Sequence, residues 1–267
     1  MDFQLLHDQL VAQGYTGDTA DAKIAHDVVL AAVEAAGFRD NLTVKGGVVM
    51  SELTDMVRRA TMDMDVDFVH YSISKVSVRH FVAVLNRASS CRIQVVGEIA
   101  DLRHLDYRGK RLHLKITDGK GVSVRTKLDI GVHTWADVQQ ADLRFKVVTD
   151  TDAISLLVNP KEQIFVEKLK SLLRIGPVST RYKDVYDLYY LKERVRRPVL
   201  QKLLDSHVFK DESLRETNVL QIAERLKRIF ADRRFAKGLA NPNFAWLDVP
   251  SQEAAAAIVE FVRQLSV

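Results

Sequence analysis

Three acidic residues alternate with apolar ones in MDMDVDF, at Asp63, Asp65 and Asp67, and a further acid, Asp129, sits in the apolar run KLDIGV. Residues i and i+2 of a strand lie about 6–7 Å apart on one side, so a carboxylate pair at that spacing suits a hard, oxygen-seeking cation, Mg2+ above all. A third carboxylate from a neighbouring strand would complete a site for two ions about 3.5–4 Å apart, the arrangement that clamps attacking and leaving oxygens in phosphoryl or nucleotidyl transfer. Upstream, Gly46 and Gly47 open a stretch of helical period. Missing side chains let backbone N–H groups approach a triphosphate, and a helix start turns its positive end toward it. Each feature also has an ordinary reading: a solvated edge strand, a Gly-Gly turn, an Asp paired with a lysine. A strand face of three carboxylates repels itself, so the ordinary reading must supply basic partners.

The elements that would position these residues follow from periodicity. Ile24, Val28, Val29, Ala32, Val33 and Ala36 recur at helical spacing before Gly37, and LTVKGG (42–47) reads as a short strand running into the two glycines. Val49, Leu53, Met56 and Val57 resume a helix, and residues 62–71 alternate as a strand with one apolar and one acidic face. A helix over 75–88 follows, then strands in RIQVVGEIA, YRGKRLHLKI and SVRTKLDIGV, the last two joined by a TDGKG hairpin turn. From about residue 152 strand signals end and helical patterns take over, with Pro160 and Pro198 where first turns would begin. The fold class expected is α+β: a mixed-sheet domain with flanking helices over residues 1–150, then a helical domain over 151–267 that completes the active-site cleft.

The chain has 267 residues, 47% of them hydrophobic and 28% charged, with 39 Lys+Arg against 35 Asp+Glu for a net charge of +4. This is globular composition, which excludes disordered and fibrous classes. No apolar run is long enough for a membrane span and no secretory signal is visible, so a cytoplasmic location is expected. The single Cys91 excludes an internal disulfide and a thiolate metal site. The eight His residues, among them His70, His80, His104 and His133, show no metal-ligand spacing, and no GxSxG, GxGxxG or Walker A run occurs.

The runs VKGG (44–47), RATMDMDVDF (59–68), KLDIGV, EKLKSLLR (167–174) and RYKDVYDLYYL (181–191) together resemble the AbiEii/AbiGii nucleotidyltransferase toxins, of the DNA polymerase β-like superfamily. The resemblance covers about residues 42–191, and its last motif is the most discriminating. It implies a toxin of a type IV toxin–antitoxin or phage-defence (abortive infection) system, with an antitoxin as partner. It also implies Mg2+-dependent transfer of a nucleoside monophosphate from an NTP to an RNA, the tRNA 3′ end in some relatives. By the same resemblance Asp63, Asp65 and Asp129 bind metal, and these three with Lys168 and Asp184 are catalytic. Lys45, Gly46, Gly47, Lys168 and Arg181 bind the nucleotide. Val48 and Val49 stand where many relatives carry a small hydroxyl residue, which leaves phosphate contacts to backbone N–H groups. Asp67 extends the alternation, so the metal pair is either Asp63/Asp65 or Asp65/Asp67, and Thr61 favours the first.

Asp184 and Asp187, three apart on a helix, face one way and would orient Lys168 or Arg181; their ordinary role is helix docking. The basic stretches KERVRR (192–197) and AERLKRIFADRRFAK (223–237), the latter with Phe230 and Phe235 interleaved, suit RNA phosphates or a plain solvated helix face. Two rivals remain: transfer to a small molecule or a protein hydroxyl, and a catalytically silent partner-binding module.

Overall fold

A computed structural model describes residues 1–103, 108–135, 138–149 and 153–266; His104 and residues 150–152 of the expected boundary region lie outside them. The chain divides into two compact units, Met1–Asn159 and Pro160–Val267.

The first unit runs α1 (Phe3–Ala12), α2 (Gly17–Ala35), β1 (Leu42–Lys45), α3 (Gly46–Thr54), β2 (Asp63–Phe68), α4 (Lys75–Ala88), β3 (Arg92–Arg103), β4 (Arg108–Thr117), β5 (Ser123–Val132), β6 (Ala141–Phe145) and β7 (Ile154–Val158). Among the described residues these strands form one seven-stranded sheet in the order β3-β4-β5-β2-β1-β7-β6. It is mixed: β2 runs parallel to β5 and β1 to β7, and the other neighbours are antiparallel. Thr16 and Thr19 cap α2 reciprocally, each hydroxyl accepting from the other residue's backbone N–H, and Ser74 caps α4 by accepting from the Ser77 N–H. The apolar stripes then do the packing. Ile24, Val28 and Val29 of α2 and Phe81 and Leu85 of α4 are buried, α2 against β5 and β7, α4 against β3. Full burial of such a side chain contributes about 1.5–3 kcal/mol. Phe38, Phe68, Tyr71 and Phe81 close one end of this core through edge-to-face contacts.

The second unit is helical: α5 (Lys161–Ile175), α6 (Tyr182–Leu191), α7 (Arg197–His207), α8 (Val219–Ala231), α9 (Arg233–Leu239) and α10 (Ser251–Arg263). Helix α5 packs on α6 and α7, and α10 on α6 and α8. Leu169, Leu172, Leu188, Leu226 and Ile258 are fully buried within it. Pro160 is the N-cap of α5, and Pro198 lies in the first turn of α7. No helix among the described residues is long and apolar enough to cross a membrane.

Four elements differ from the expectation. Strand signals do not end near residue 152, since ISLLV forms β7, parallel to β1; and ADLRF (141–145), to which the sequence pattern assigns no element, forms β6 beside it. Both are short runs, over which strand and helix periods coincide. The helix after Gly46-Gly47 stops at Thr54, because Asp55 takes a left-handed conformation at φ +50°. The single helix expected over ETNVLQIAERLKRIFADRRF (216–235) breaks at Asp232, whose extended backbone ends α8 while its carboxylate accepts the Arg234 and Phe235 N–H groups at the start of α9.

Candidate active site

Strand β1 ends at Lys45 and α3 begins at Gly46 with no loop between them. The reversal holds Gly46 at φ +66°, a conformation glycine adopts without steric cost. A Cβ on Gly46 would stand 2.6 Å from Asp65 Oδ2, and one on Gly47 would stand 2.5 Å from Thr61 Oγ1. The first turn of α3 is therefore seated directly against the acidic strand and the residues that lead into it. Its N–H groups, which have no carbonyl partner inside the helix, open next to a carboxylate.

Register assembles the rest. Lys45 opposes Asp65, Asp65 opposes Asp129, and Asp129 opposes Arg111, so four charged residues form a row across β1, β2, β5 and β4. The adjoining row holds Asp63, Lys127 and His113. Six residues expected in the site, Lys45, Gly46, Gly47, Asp63, Asp65 and Asp129, are thus brought together in the first unit.

Each acid next to Asp65 has a basic counterpart. Arg111 donates through Nε and Nη2 to both oxygens of Asp129, at 2.8 and 2.7 Å. That forked bond holds the guanidinium still further above its ordinary pKa. Lys127 Nζ donates to Asp63 Oδ2 at 2.6 Å, and Lys45 Nζ lies 2.6 Å from Asp67 Oδ1. The partners that the ordinary reading of an acid face requires are present. Asp67 is buried beside Lys45, whereas the Asp63 side chain is 48% exposed. Of the three alternating acids, Asp67 is thus the one closed off from solvent.

Among the described residues no three His, Cys, Asp or Glu side chains converge as a ready-made metal cage; Lys127 and Arg111 hold two of the acids instead. The donor set nonetheless fits a hard divalent cation: carboxylate oxygens from adjacent positions of two paired strands, on one face of the sheet.

The other expected residues gather within the second unit. Lys168 of α5 is buried and lies 2.6 Å from Asp184 Oδ1 and 2.8 Å from Asp187 Oδ2 of α6. Arg181 reaches the second oxygen of Asp184 at 3.7 Å. Both acids of the RYKDVYDL motif thus meet Lys168, and Asp187, with no exposed surface, also has the docking role.

Arg111 and Lys127 were not foreseen as neighbours of the acids. Their signal lies in the alternation of RLHLKI and SVRTKLDIGV, where every second residue is polar or charged, but only register reveals which acid each one meets.

No curated protein matches the chain. A crystal structure of an antigenic nucleotidyltransferase-like protein from Paracoccidioides brasiliensis is similar over 79% of this chain and 92% of its own, with 13% identity and a TM-score of 0.45. Residues 28–247 match the family described as nucleotidyl transferase AbiEii toxin, type IV TA system, a span that holds the Gly-Gly turn, the acid row and the Lys168 cluster. The chain therefore belongs to the AbiEii nucleotidyltransferase toxin family of type IV toxin–antitoxin systems.

Proposed function

We propose that the protein transfers a nucleoside monophosphate from an NTP to a hydroxyl of an RNA, the 3′ end of a tRNA, releasing pyrophosphate, and that a cognate antitoxin restrains it. The observation that carries this reading is the approach of Gly46 to Asp65, which sets the first turn of α3 beside a carboxylate row. Phosphates and the cation that neutralises them need these two kinds of group side by side. Asp63, Asp65 and Asp129 would hold Mg2+, which when bound offsets phosphate charge and makes an acceptor hydroxyl easier to deprotonate. Gly46 and Gly47 present backbone N–H groups to the phosphates, with Lys45 at the same turn. Lys168, oriented by Asp184 and Asp187 and with Arg181 beside Asp184, is the proposed phosphate contact of the helical unit.

The test is incubation of the purified protein with Mg2+, each α-labelled NTP and total tRNA. Label on RNA is expected, and Asp65→Ala should lower it at least about a hundredfold while the melting transition stays cooperative. Undiminished labelling by that variant would remove the assignment. Label on a protein or small-molecule fraction would move the acceptor.

A silent partner-binding module is the second reading, favoured by the ion pairs that Lys127 and Arg111 make with Asp63 and Asp129. Calorimetry decides it: Mg-NTP binding would reject a silent site, and its absence would support one.

A further inference from the structure

The acid row continues into a basic surface that the transfer reading leaves without a role. In β4 and β5 alternate residues point to the helix-covered side, among them Leu112, Leu114, Ile116, Leu128 and Ile130, all fully buried. Thr126 points the same way and meets His26 of α2 at 3.0 Å. The intervening residues lie on the opposite face, the one that carries Asp65 and Asp129. There Arg111 opposes Asp129, His113 opposes Lys127, and Lys115 opposes Arg125; Arg92 of β3 opposes Thr117 in the last row. Charge on this face passes from acidic at β2 to basic across β5 and β4, with Arg92 of β3 beyond them.

Two of those cations are balanced by the acids, Lys127 by Asp63 and Arg111 by Asp129. Arg92, Lys115 and Arg125 make no ion pair among the described residues, and Arg92 and Arg125 are exposed. Lys115 and Arg125 stand directly opposite each other across an antiparallel pair. Like charges so placed repel, and a polyanion laid over them removes that cost.

We propose that the open face of β3, β4 and β5 is an RNA platform on which Arg92, Lys115 and Arg125 hold the phosphate backbone of the acceptor, so that its reactive end meets Asp65 and Asp129. It rests on the transfer reading for the acceptor being RNA. No Phe, Tyr or Trp stands among these face positions, so the platform reads backbone charge and not stacked bases, and binding is tolerant of sequence and steep in salt. An acidic protein surface would match the same charge. RNA is favoured because the basic rows lead without a break into the carboxylates where an acceptor hydroxyl has to be presented, a continuity that an inhibitor does not need.

The test compares wild type with the full-length triple variant R92E/K115E/R125E. Fluorescence anisotropy of labelled tRNA, and of an unrelated RNA of equal length, is read over a series of NaCl concentrations. Wild type should bind both RNAs. The triple variant should lose at least about tenfold in affinity, and its log–log salt slope should fall by about 2–3, three phosphate contacts being removed. Mg-NTP binding and thermal melting should stay as in wild type. The neutral triple R92Q/K115Q/R125Q should show the same loss and serves as the readout if charge reversal disturbs folding. Unchanged RNA affinity in a folded variant would overturn the platform and leave the face to an acidic protein, as would a wild type that binds no RNA.

Asp65→Ala keeps this failure apart from failure of the transfer reading, because it should bind RNA normally while losing transfer. RNA labelling by wild type together with unaltered binding by the triple variant would sink the platform alone. Absent labelling together with binding lost in the triple variant would sink the transfer reading alone.

Discussion

A methyl group at Gly46 meets two obstacles together, the left-handed backbone at φ +66° and Asp65 Oδ2 at 2.6 Å. Gly47 meets one, the Thr61 side chain, with Oγ1 at 2.5 Å and Cβ at 2.8 Å. The Thr61 Cβ hangs directly from the backbone, so it cannot rotate away as a long side chain does. Gly47→Ala is expected to destabilise the first unit by about 1–3 kcal/mol through overpacking. Gly46→Ala should cost about 1–3 kcal/mol for the backbone in addition to its contact with Asp65. Urea denaturation measures both, and a Gly46→Ala protein as stable as wild type would contradict the placement of this turn. The acids and the two glycines were legible in the sequence because their chemistry depends on residue type and on spacings of one or two residues. Arg111, 18 residues from Asp129 in the chain but joined to it by two hydrogen bonds, was not.

Helices α5 and α6 are joined by an ammonium between two carboxylates. Lys168→Met takes that ammonium away from Asp187, a carboxylate with no exposed surface. The expected loss is about 3 kcal/mol, measured by urea denaturation, because a buried charge is left with less compensation. K168M/D184N/D187N removes all three charges and should recover part of that loss without restoring transfer. Full recovery of transfer would show that Lys168 serves docking only. Long elements such as α2, α4 and α5 were legible because several turns of apolar period are hard to mistake. Strand β7 was not, since the five residues of ISLLV are apolar at almost every position and only pairing with β6 and β1 makes them a strand.

Packing of α2 on β5 buries His26 against Thr126, and burial, with help from the nearby Lys23, pushes its pKa down from 6.5 to about 4. Between those two values the unfolded chain binds the proton that the folded chain refuses. Stability linked to His26 is therefore complete above about pH 6.5, is lost as pH falls toward 4, and levels off below; the whole loss is about 3 kcal/mol. Burial pushes the neighbouring Asp27 carboxyl up, against the pull of Lys23, and that titration has the opposite sign. The measurement is accordingly the difference in urea stability between wild type and His26→Gln at pH 7.5 and pH 4, and a difference that does not change with pH would show that His26 titrates normally. By itself the sequence determined which residues share a strand face, where a glycine pair meets a helix start, and which helices carry apolar stripes. These are local properties, set by side-chain period and backbone sterics over a few residues. Only the tertiary structure decided that Asp65 faces Asp129, that Lys127 and Arg111 neutralise the flanking acids, and that the acid row opens onto a basic sheet face. Strand order and register come from long-range pairing and from burial of one sheet face against α2 and α4, and no local pattern encodes which strand will be the neighbour.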